Sequence, residues 1–254
     1  MSDFRNYSPA DVRTDVATDP GLKKFMVGVY AKVAMGLLVS AVLAYITGSY
    51  APVRDLLFAV SPTGALAGFT PLGMIVSYAP LAVLLFSAFA MRNASAGAAN
   101  ILYWVVVALI GASMGTLVLM YTGVSIVTTF LITASAFGAL SLFGYTTKMN
   151  LGPIRSFLII AAWGLLATII VGAIGGGMGL FPTGGLFLVV NAVGVLIFAG
   201  LIAADTQNLK MTYYELGGNQ SALNAATSYG ALSLYLDFIN LFRFLLYFLG
   251  VRRE

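Results

Sequence analysis

The feature that most constrains this chain is a long stretch without acid. No Asp or Glu stands between Asp55 and Asp205, and the only charges there are Arg92, Lys148 and Arg155. Soluble domains carry about a quarter charged residues. Here charged residues are 9% of the chain and apolar residues 60%. A surface facing hydrocarbon removes the need for charge, so the expected class is an all-α integral membrane protein.

Apolar runs long enough to cross the hydrocarbon predict seven transmembrane helices. They cover residues 25–46, 72–91, 98–120, 124–143, 154–174, 186–204 and 229–249. Tyr121-Thr122-Gly123 predicts a tight turn, and the run GGGMGLFPTGG has turn composition. Gly111 and Gly115 predict close helix contact. Lys32, early in the first span, is expected to snorkel to the interface. Residues 1–22 are polar and read as a flexible cytoplasmic tail, with 23–254 as the seven-span domain. The tail is not a signal peptide, because no apolar core follows a short basic start.

Basic residues set the expected orientation. With the N-terminus cytoplasmic, the inside segments hold Arg5, Arg13, Lys23, Lys24, Arg92, Lys148, Arg155 and Lys210. The outside segments hold Arg54, Arg252 and Arg253. That balance favours N-inside and C-outside, and only the terminal arginine pair argues the other way. The chain has no Cys and no His, which excludes disulfides, thiolate chemistry, His-ligated metals and a histidine pH switch. No basic cluster is interleaved with aromatics, so no nucleic-acid partner is expected. The expected partner at this point is the bilayer, and any proton-sensing group must be a carboxylate, or a Lys or Tyr with a shifted pKa.

Two acids fall where charge is costly. Asp205 sits at or near the cytoplasmic end of the sixth span and Asp237 lies inside the seventh. An ionised Asp near a span centre costs about 2.5–3.5 kcal/mol on insertion scales, so it needs a partner or a proton. Antiparallel neighbouring spans can bring the two carboxyls to similar depth. Sharing one proton, they would titrate as a unit and serve as a pH sensor. Ser233 and Asn240 share the face of Asp237, so the seventh span presents a polar stripe to protein or water. Arg92 ends the second span and reads either as a positive-inside anchor or as a cation pairing with an Asp on the same membrane side. Arg243 lies off the face of Asp237 and reads as snorkelling or packing.

Four segments together resemble the Bax inhibitor family, the transmembrane Bax-inhibitor-motif proteins. They are ALSLYLDFINLF (231–242), FAGLIAADTQNLK (198–210), FGALSLFGYTTKMNL (137–151) and YTGVSI (121–126). The resemblance covers the chain after about residue 25 and implies seven helices, the seventh central and the other six around it. It implies a pH-sensitive calcium leak with no tightly bound cofactor, sensed by Asp205 and Asp237 and latched by Arg92. Asp205 and Asp237 would then also be the transient calcium contacts. A bacterial inner membrane is the implied location. The sequence departs from the family pattern at Asn150, where many relatives have an acid, at Leu81, where some bacterial members carry a glutamate, and at Arg243, which is unusual for the motif. Two rival readings stand beside the channel. One is a regulatory protein that binds a membrane protease or another membrane partner. The other is an intramembrane aspartyl protease, disfavoured because neither Asp follows Gly-x-Gly. The chain is therefore expected not to be an enzyme.

Overall fold

The computed structural model describes residues 19–90, 95–177 and 183–253. Within them the order is α1 (Pro20–Ser49), α2 (Ala51–Leu57), β1 (Phe58–Val60), β2 (Leu66–Phe69), α3 (Pro71–Ala90) and α4 (Ala96–Ser113). Then follow α5 (Gly115–Met120), α6 (Gly123–Thr146), α7 (Gly152–Gly177), α8 (Thr183–Glu215) and α9 (Gln220–Leu249). Among the described residues, each of the seven predicted spans falls on helix. Six stretches are long and apolar enough to cross a membrane: α1, α4 with α5, α6, α7, α8 and α9. The second predicted span, α3, is the shorter one, apolar over Pro71–Ser87.

Local chemistry sets the helix starts. Asp19 Oδ1 accepts from the N–H groups of Gly21 at 2.8 Å and Leu22 at 3.1 Å, with Pro20 at the first helical position. Thus α1 begins inside the segment read as a tail; residues 1–18 lie outside the described residues. Ser95, Thr122 and Asn219 cap α4, α6 and α9 in the same way.

Two corrections concern helix length. The predicted sixth span stops at Ala204 and the seventh starts at Tyr229, yet α8 runs on to Glu215 and α9 starts at Gln220. Apolar run length measures hydrocarbon, whereas these helices continue with polar turns beyond it. The connecting turn uses Gly217 and Gly218 at φ +54° and +83°, a region Gly enters without strain. Asp205 is consequently not near a helix end but about three turns inside α8. The third predicted span is also divided, at Met114, into α4 and α5. Between the first two spans, α2 and a two-stranded hairpin pairing Phe58 with Phe69 were not expected.

The interior helix is α9, which packs against α8, α1, α4 and α6. Over half of its most apolar window is buried, the largest share of any span. Its side chains Leu234, Tyr235, Phe238 and Leu246 are almost wholly buried in the main core. The arrangement differs in detail from six helices around one. Four pack directly on α9, while α3 sits mainly against α4 and α7 against α8.

Backbones approach closely where side chains are smallest. A Cβ at Gly144 of α6 would collide with the carbonyl oxygen of Ala203 of α8, and one at Gly111 would lie 2.6 Å from the Cα of Ser40. A Cβ at Gly138, on the same helix as Gly144, meets nothing. Gly144→Val should therefore destabilise the protein by about 1–3 kcal/mol or more, while Gly138→Ala should be near neutral. Thermal denaturation in detergent measures this, and equal melting temperatures for the two variants would contradict the packing.

Candidate functional site

The site grows from the loop before α7. Gln207 of α8 donates Nε2 to the Met149 carbonyl at 2.7 Å and accepts at Oε1 from the Leu151 N–H at 2.7 Å. Asn150 turns its carboxamide oxygen onto the Gly152 N–H at 3.0 Å, starting the helix. Leu151 buries against Ala203 and Ala204. On the next turn Lys210 donates to the Tyr145 carbonyl at 2.9 Å, neutralising the last turn of α6. These contacts fix the first turn of α7 beside Asp205.

Arg155 completes that placement. Its Nε donates to Asp205 Oδ1 at 2.5 Å. The other carboxylate oxygen, Oδ2, accepts from the hydroxyl of Ser233 on α9. Asp205 is only 4% exposed, and its carboxylate therefore ties α7, α8 and α9 together. A buried carboxylate is tolerated only when a counter-charge and hydrogen bonds replace water, and this one has both.

Asp237 has a different environment. It is 5% exposed, and its Oδ2 is buried with no hydrogen-bond partner among the described residues. It interacts electrostatically with Asp205 and with Arg155. The two carboxyls share no hydrogen bond. Ser233 is the α9 residue level with Asp205, and Asp237 lies one turn, or about 6 Å, further along. The helix hairpin therefore brings both acids into one neighbourhood, but staggered by a turn.

The expected supporting stripe divides into two roles. Ser233 reaches across to Asp205, whereas Asn240 donates to the Leu236 carbonyl of its own helix at 2.9 Å. The α8 side of α9 is closed by Asp205 on Ser233 and by Phe198 stacked on Phe244, centroids 5.8 Å apart. The α6 side is closed by Phe130 and Phe137 against Phe238. Left partly open is a line one face wide: Tyr229, Leu236, Asn240, Arg243 and Tyr247. Arg243 is exposed on it.

Arg92, expected as the latch, lies outside the described residues. The cation on Asp205 is Arg155, which basic-residue counting had treated only as an inside-loop charge. Its signal was present, since it is one of three charges in the acid-free stretch. Gln207 lies in the 198–210 segment, and its amide carries no sequence signal of the loop it holds. Lys32 does not simply snorkel: its Nζ donates to Asn100 at 2.5 Å and Ser228 at 2.7 Å, joining α1 to α4 and α9.

The family model described as "Inhibitor of apoptosis-promoting Bax1" matches residues 22–254. This chain belongs to the Bax inhibitor-1 family. Among its relatives is an uncharacterised protein of Caulobacter vibrioides, 54% identical over the whole of both chains. A Rickettsia prowazekii protein is 38% identical over 93% of each chain. The Escherichia coli inner membrane protein YbhL is 34% identical over 95% of this chain and 98% of its own. In this Bax inhibitor-1 family member, the segments 198–210 and 231–242 form the Asp205 and Ser233 sides of the clamp.

Because Arg155 is partly exposed, its loss should cost less than the 3–5 kcal/mol typical of a fully buried pair, about 2 kcal/mol. Arg155→Gln combined with Asp205→Asn should recover part of that cost. A double-mutant cycle by thermal denaturation tests this; additive effects would show that the pair is not coupled.

Proposed function

We propose that this protein is a pH-sensitive calcium leak pathway of the inner membrane, gated by Asp205 and Asp237. The observation that carries the reading is the asymmetry between the two acids. Asp205 has a counter-charge in Arg155, and Asp237 has a buried oxygen with no partner. Such a pair accommodates one negative charge comfortably and a second only at high cost. With a proton on Asp237, the clamp of Arg155, Asp205 and Ser233 holds α7, α8 and α9 closed. Loss of that proton places a second charge about one turn from Asp205. Repulsion then favours separation of α8 from α9 and opens the α8 side of α9 at Ser233 and Asp237 as a polar path, beside the partly open line through Asn240.

In this reading α3 also crosses the membrane, bringing the spans to seven, with the N-terminus cytoplasmic and the C-terminus outside, as the basic residues favour. Arg155 takes the latch role expected of Arg92. Calcium is the transported substrate. Among the described residues no three Asp or Glu converge to hold it. Calcium usually takes six to eight oxygen ligands, so Asp205 and Asp237 would offer only passing contacts. That is the behaviour suited to a leak.

Calcium flux into proteoliposomes, followed against pH, tests the proposal. Flux should rise as pH rises through the titration of the pair. Asp237→Asn should abolish the pH dependence and hold flux at the low-pH level. Arg155→Gln should raise flux at low pH by releasing Asp205. No flux at any pH, or a wild-type pH profile in Asp237→Asn, would contradict the proposal and favour a regulatory role through a membrane partner.

A further inference from the structure

At the far end of α9 from the Gln220–Glu215 turn, the chain folds back on the bundle. The Thr122 N–H donates to the Val251 carbonyl at 3.0 Å, and the Arg253 N–H donates to the Met120 carbonyl at 2.9 Å. The Val251 N–H also donates to the hydroxyl of Ser125 at 2.9 Å. Residues 251–253 are thus held against the α5–α6 turn by backbone bonds, and a β-bridge pairs Arg252 with Tyr121. Such pinning gives Arg253 a fixed place although its side chain is exposed.

That place is the rim of an apolar groove. A space of about 400 Å³ lies between α1, α5, α6 and α9, floored by residues such as Leu37, Ala44, Phe130 and Phe242, with Arg253 among its lining. It opens sideways between α1 and α6, where Tyr45 is 67% and Val127 59% exposed. Along α1 the groove runs from Ser49 back to Leu37, about 18 Å at 1.5 Å per residue. One leaflet of hydrocarbon is about 15 Å thick, so the groove spans one leaflet from interface to midplane.

We infer that this groove is a binding site for one anionic phospholipid, with an acyl chain along α1 and the phosphate at Arg253. The observations agree on chemistry. A leaflet-deep slot open to hydrocarbon takes an acyl chain, and a guanidinium carried on a pinned backbone at its interfacial end takes a phosphate, which Arg binds in bidentate geometry. The same contact gives a role to one of the two terminal arginines, on the side of the membrane where basic residues are otherwise few.

The test uses the full chain in nanodiscs of equal phosphatidylglycerol and phosphatidylcholine with matched acyl chains, read by native mass spectrometry. One phosphatidylglycerol should remain per chain, favoured over phosphatidylcholine by on the order of 5-fold, the effect of one basic residue at a charged interface. Arg253→Gln should bring that preference near unity without loss of folding, since only backbone atoms of 253 hold the tail. Ala41→Phe, at an exposed lining position, should fill the slot and lower retention of both lipids. Equal retention of the two lipids by the wild type would overturn the inference, as would unchanged phosphatidylglycerol retention in both variants. Displacement by soluble glycerol phosphate would reduce the site to a headgroup site and overturn the acyl assignment.

Discussion

An ionisable carboxyl inside an apolar bundle sets the terms for the rest of this protein. Asp205 sits about three turns inside α8, far from helix-end solvent, and it is kept there by two donors from two other helices. Those donors, Arg155 and Ser233, make the carboxylate a joint between α7, α8 and α9. Replacing water around a carboxylate requires both charge and hydrogen bonds, and the fold is arranged to deliver them. Gln207 anchors the loop that starts α7, Gly144 lets α6 close against Ala203, and α9 is held centrally by four neighbours. The second acid, Asp237, inherits what is left, a buried position with the counter-charge already engaged by Asp205.

Much of this was legible in the sequence. The acid-free stretch between Asp55 and Asp205 pointed to the membrane setting, and each of the seven apolar runs falls on helix among the described residues, six of them in stretches long enough to cross a membrane. Asp205, Asp237 and Ser233 stood out because polar groups on spans are expensive. What escaped has physical reasons. Hydropathy sees the hydrocarbon boundary, so it ended the sixth span at Ala204 although polar turns carry α8 to Glu215. The stagger between the acids depends on hairpin register, which follows from the Gly217–Gly218 turn and contacts such as Leu209 against Gly230.

Arg155 escaped for a different reason. Residue counting by the positive-inside rule treats every basic residue near a span end as an anchor. Only the loop clamp by Gln207 brings this one against a buried acid, and an amide in a helix carries no signal of its long-range partner. Asn240 shows the converse. Helical spacing put it on the face of Asp237, but its amide turns to its own backbone at Leu236. Shared face is a necessary condition for a shared role, and the choice among partners is tertiary.

On the proposed reading, protonation at Asp237 controls whether the α7–α8–α9 joint holds. The chain has no cysteine, so paired labels are introduced cleanly. Spin labels at Ser156→Cys on α7 and Asn224→Cys on α9, both exposed positions, report the joint by pulsed dipolar spectroscopy. The account predicts one distance at low pH and a second population growing as pH rises, absent in Asp237→Asn. A single unchanged distance across the pH range, or the same shift in Asp237→Asn, would contradict it.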